Sequence, residues 1–96
     1  MAHMKLKTPI KGLDDSDITT LEIKLVTGAM FLKFGDMEVA KVTSGGGQTI
    51  TTVEFSTSIF MQYLEECTGL PSPVLRKLSL KDIKAARAVL QNMFQD

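Results

Sequence analysis

The sequence predicts an α+β fold: N-terminal antiparallel β-hairpins packed on two to three C-terminal α-helices. Two patterns carry this. Leu21, Ile23 and Leu25 alternate with Thr20, Glu22 and Lys24, the period of a half-buried antiparallel strand. Ile83, Ala86, Val89, Leu90, Met93 and Phe94 recur at three- and four-residue steps, forming one stripe of a helix that turns Lys81, Lys84, Arg87 and Gln91 away from it. Ser79, with Asp82 three positions on, marks where that helix begins, because the serine hydroxyl can cap a free backbone N–H while the carboxylate reaches back toward the cap.

Taken in order, Lys5 to Ile10 is a short edge strand confined by Pro9, and Gly12 to Asp17 is a turn by composition. Ile18 to Val26 returns as the partner strand of a hairpin. Thr27 caps a short, nearly all-apolar helix over Ala29–Phe34 that Gly35 ends, and this helix is expected to tuck under the sheet. Met37 to Thr43 and Gln48 to Val53 flank Ser44-Gly45-Gly46-Gly47 as a second hairpin with weakly specified register. A longer helix starts near Ser56, rather than at the alternative Thr51/Glu54 capping box. It buries Phe60, Tyr63, Leu64 and Cys67 and stops at Gly69. Ser72 and Pro73 open one turn over Val74–Leu78 with Leu75 and Leu78 inward, and the last helix runs from Leu80 to about Met93.

Composition narrows the function. Met1–Met4 reads as an expression-vector scar with the native chain starting at Met4, leaving a single domain over residues 5–96. Eleven basic residues balance eleven acidic ones, so no global field favours nucleic acid or an anionic membrane. No apolar run approaches the roughly 20 residues of a membrane-spanning helix. The lone Cys67 excludes an internal disulfide framework and suits a buried thiol in a reducing compartment.

The chemical motifs are weak. The Gly45–Gly47 run lacks the Gly-Lys-Ser/Thr and the following helix of a phosphate loop. Asp14, Asp15 and Asp17 lack the glycine and distal glutamate of a calcium loop. Setting aside His3 in the scar, there is no histidine for a nucleophile pair or a common zinc shell, and Glu65 and Glu66 point apart on their helix. Neither an enzyme nor a bound cofactor is expected. One local charge asymmetry stands out: Arg76, Lys77, Lys81, Lys84 and Arg87 face only Asp82 in their window. It reads as a solvated face or as a surface for an acidic protein, since no stacking aromatics accompany it. Of the interior methionines Met30, Met37, Met61 and Met93, most fill gaps in the core. The residues expected to meet a partner are Leu90, Met93 and Phe94 at the end of the last helix, with Lys81, Lys84 and Arg87.

Three pieces of sequence, in this order and spacing, resemble the tail assembly chaperones of contractile-tailed phages and prophages, the group that includes the E protein of P2-like phages and its Mu-like equivalents. They are the strand ending in Thr27-Gly28 before a short apolar segment, Thr68-Gly69-Leu70-Pro71 after a helix containing Tyr63-Leu64, and Leu78, Ser79 and Asp82 opening a helix that closes near Phe94. Val26 departs from the family's usual proline before the threonine-glycine pair, and the Gly45–Gly47 region is variable. The resemblance implies a non-enzymatic protein of the host bacterial cytoplasm that binds the tape measure protein before the tail tube polymerises, and that is absent from the mature virion. It further implies a frameshifted long form of which this chain would be the short version, and contact with tail tube protein; a homo-oligomer, dimer or ring, is left open by the sequence itself. A structural tail or baseplate component, and a small nucleic-acid-binding regulator acting through Arg76 to Arg87, are the competing expectations.

Overall fold

The computed structural model describes residues 1–95. Its elements in chain order are β1 (Ala2–Lys11), β2 (Asp17–Ile23), α1 (Gly28–Phe34), β3 (Glu38–Gly45), β4 (Gln48–Phe55), α2 (Thr57–Thr68), α3 (Ser72–Leu75) and α4 (Leu80–Phe94). The α+β class holds, and the strands form two separate antiparallel pairs, β1–β2 and β3–β4.

The first pair supplies the core's sheet. Leu6, Ile10, Leu21 and Ile23 are buried from it against α2 and α4. β1 is longer than expected, because Ala2, His3 and Met4 pair with Ile23, Glu22 and Leu21. Its turn is closed by Gly12 N–H donating to the Ser16 carbonyl, and by the Asp14 carboxylate accepting from both the amide and the hydroxyl of Ser16. Those bonds hold the Asp14 carboxyl below its ordinary range. β2 is shorter than expected. After Ile23 the chain leaves the ladder so that Lys24 N–H can donate to the Cys67 carbonyl at 3.0 Å, which breaks the alternation and leaves Leu25 exposed.

The ladder of β1 is interrupted between Lys5 and Ile10, where the amides of Lys7 and Thr8 find another acceptor. Asp82, in the first turn of α4, is only 1 % exposed and takes both, at 2.9 and 3.1 Å. It also accepts from the Ser79 hydroxyl at 2.9 Å, while Ser79 Oγ caps the Asp82 amide at 3.2 Å. The expected reach back to the cap is therefore only part of its role. The same carboxylate joins the last helix to the irregular part of β1.

α1 is capped by Thr27 and ended by Gly35 at φ 83°, as its sequence predicts, but it is not tucked under the sheet. A seven-residue helix that is apolar nearly all round, Lys33 apart, can bury only one of its sides. It turns Met30 and Phe34 toward α2 and leaves Phe31 and Leu32 outside, Leu32 at 88 % exposure. α2 follows expectation, with Ser56 as cap, Phe60, Tyr63, Leu64 and Cys67 buried, and Gly69 in the left-handed conformation at φ 71°. α3 starts at Ser72 rather than using it as a cap; Pro73 is accepted in the first turn, and Val74, Leu75 and Leu78 are buried.

The second hairpin departs most from expectation. Its strands are longer than predicted and leave only Gly46 and Gly47 as the loop, at φ 58° and 78°, the left-handed pair that a tight turn of right-handed twist requires. Every residue of β3 is exposed, and so is every residue of β4 except Phe55. The hairpin packs on no helix along its length, and the molecule measures 57 × 26 × 19 Å. Met37, just outside β3, is buried, and its carbonyl accepts from the Ser56 amide at 2.7 Å to close the root.

Candidate partner-binding surface

The α2 and α4 stripes meet the β1–β2 sheet with their central residues, which leaves their flanks for other contacts. Leu90 lies at the middle of its stripe and is 0 % exposed. Leu90, expected at the partner contact, is packed inside the buried core cluster. Met93 and Phe94 are half-buried. Phe94 meets the Tyr63 ring edge-on at 5.2 Å and lies 6.2 Å from Phe31, while Phe34 meets Tyr63 at 5.2 Å from the other side. The Tyr63 hydroxyl donates to the Gly35 carbonyl, and burial pushes its pKa up. This aromatic group closes one end of the core, with Phe31 on its outer side.

On the flank of α4 beyond Ile83, an open groove of about 530 Å³ runs between α2 and the α3–α4 segment. Met61, Leu75 and Ile83 supply its apolar lining, and Gln62, Glu65 and Arg76 its polar one. Leu80, 68 % exposed, stands three residues before Ile83 on the same side of the helix, and Arg87 four residues after it. Helix spacing thus extends the apolar floor outward to Leu80 on one side and toward Arg87 on the other.

The basic residues have separate surroundings. Arg76 lines the groove, and Lys77 Nζ donates to the Lys11 carbonyl at 3.3 Å. Lys81 and Lys84 point outward, and among the described residues no carboxylate pairs with either. Arg87 sets its guanidinium 3.9 Å from the centre of the Phe55 ring, a cation–π contact that joins α4 to the root of the β3–β4 hairpin; Phe55 in turn packs on Phe60 at 5.8 Å. Of the six residues expected to meet a partner, Lys81, Lys84 and Arg87 border the groove side or outer face of α4, Met93 and Phe94 sit at its end, and Leu90 is inside.

Residue patterns alone did not single out Met61, Ile83 and Leu80 as groove residues or Leu32 as an exposed one. A signal for Leu32 was present in the all-round apolarity of α1, which so short a helix cannot bury. For Ile83 there was none, because a flank residue and a central residue of a stripe share the same spacing. Cys67 is fully buried, its thiol pKa raised by burial and by the neighbouring Glu66 charge. No helix among the described residues is long and apolar enough to cross a membrane.

Comparison with known proteins adds the family. No curated protein and no solved structure matches the chain. The family model described as phage tail assembly chaperone proteins, E, or 41 or 14, matches residues 3–95, nearly the whole chain and every element described above. The chain therefore belongs to the phage tail assembly chaperones.

Proposed function

We propose that this chaperone holds the tape measure protein in the host bacterial cytoplasm before tail tube polymerises around it, without catalysis, and that it leaves before the virion is complete. The observation that carries the reading is the open apolar groove between α2 and the α3–α4 segment on a member of this family, with Arg76 and Glu65 at its polar rim. A groove floored by Met61, Leu75 and Ile83 suits the apolar stripe of an amphipathic helix, and methionine adapts to different segments of a long client. Arg76 at the rim, with the exposed Lys84 further round α4, favours a client helix that carries carboxylates. Contacts of this size are weak singly, which suits many copies along one client and their displacement by tube protein.

Co-expression with the cognate tape measure protein tests the reading. The expected result is a higher soluble yield of the tape measure protein and a complex that survives purification. Failure to co-purify, with this chain or with a frameshift-extended form, would overturn it. Mass spectrometry of finished particles separates it from the structural alternative, since a tail or baseplate component would be present in fixed copy number.

A further inference from the structure

We infer that the projecting β3–β4 hairpin is a self-association arm, pairing through the free edge of β4 with β4 of a second copy of this chain. Beyond its root, where Phe55 packs on Phe60 and Arg87, the arm is exposed along both strands, and an isolated two-stranded hairpin is marginally stable in water. A further strand at one edge brings it to the strand number that supports a stable sheet.

The register determines which edge can accept one. The Gly46-Gly47 loop makes Gly45 and Gln48 a hydrogen-bonded pair, and such pairs alternate along an antiparallel ladder. Gln48, Ile50, Thr52 and Glu54 therefore bond inward to β3, whereas Thr49, Thr51 and Val53 present their N–H and C=O groups outward. From Thr49 to Val53 every residue is β-branched, and Gln48 to Val53 carries no charge. The β3 edge differs. Lys41 sits in its middle and Ser44-Gly45 at its outer end, a lysine and weak strand formers of the kind that discourage pairing.

Antiparallel pairing of two β4 strands about Thr51 uses all three outward residues of each copy. Thr51 faces its equivalent and Thr49 faces Val53 as hydrogen-bonded pairs, while Ile50 faces Thr52 between them. Glu54 then meets Gln48, so no like charges are opposed. The two globular bodies lie at opposite ends of the resulting four-stranded sheet. This inference is independent of the client groove, which lies between the helices.

Two proline variants separate the edges. Val42 and Thr51 face each other in the ladder as a pair that exchanges no hydrogen bonds, so Thr51→Pro and Val42→Pro each delete one outward N–H and no bond within the arm. Sedimentation of the intact chain should give twice the 10.5 kDa of one copy for the unmodified protein and for Val42→Pro, and one copy for Thr51→Pro with an unchanged helical circular dichroism signal. As a check that does not depend on the proline variants folding, mixing the Ile50→Cys and Thr52→Cys proteins under mild oxidation should give a disulfide-linked pair, because that facing position brings Cα atoms to about 4.5 Å. A monomeric unmodified protein, a dimer that survives Thr51→Pro, or absence of the mixed disulfide would overturn the inference. Loss of client binding in Thr51→Pro from an already monomeric protein would assign the edge to the client instead.

Discussion

Asp82 accepts the amide proton of Lys7 at 2.9 Å across 75 positions of chain, and the adjacent Thr8 amide at 3.1 Å. The helix-start residue of α4 thereby satisfies the two donors that the irregular stretch of β1 withdraws from its own ladder. These two bonds and that from Ser79 outweigh burial and hold the Asp82 carboxyl below its ordinary range, with the Lys7 bond the largest cause.

A pH dependence follows from that shift. A carboxylate whose folded pKa is depressed contributes stability that is fully present above its unfolded pKa of about 3.9 and is lost as pH falls through the folded value. Thermal unfolding from about pH 6 to about pH 2 should show a steep acid loss in the unmodified protein. In Asp82→Ala the melting temperature should be lower at neutral pH and the acid slope shallower. An unchanged slope would show that Asp82 does not govern it.

Leu90 and Met93 should separate core from surface. Leu90→Ala removes a fully buried side chain and should cost about 2–5 kcal/mol by denaturant titration. Met93→Ala, at a half-buried position, should cost less than half of that. Equal costs would place both residues in the same environment.

The groove can be tested at Ile83, which is partly buried against the core. Ile83→Glu should weaken capture of the tape measure protein by about tenfold or more, with a loss of stability too small to unfold the chain at working temperature. Lys84→Glu should chiefly slow association and flatten its salt dependence. Binding kinetics on immobilised client would check both, and wild-type capture by Ile83→Glu would place the client elsewhere.

Cys67 reports local opening. Its thiol is fully buried, its pKa is raised, and its carbonyl is tied to the Lys24 amide. A disulfide reagent at mildly alkaline pH should therefore label the native protein about a hundredfold or more slowly than the denatured chain. Comparable rates would mean that the C-terminal turn of α2 frays readily.

Much of the fold was legible because its signals are local. Ser56 and Ser79 could cap helices only where they do, Gly35 and Gly69 end them, and the Phe60, Tyr63, Leu64 and Cys67 spacing selects one face whatever it packs on. The family was likewise readable from the order of such pieces. Three things were decided only in three dimensions. Leu90 became core rather than contact, because spacing places residues on a stripe without saying how far the sheet and the neighbouring helix extend over it. The β3–β4 strands read like those of a packed hairpin, yet they project, because the short links at Met37 and Ser56 tie only their root to the body. Asp82 looked like a capping residue and proved to be the tie between the two ends of the chain. A carboxylate's remaining hydrogen bonds go to whichever unpaired amides the folded backbone brings to it, and chain separation carries no information about which those will be.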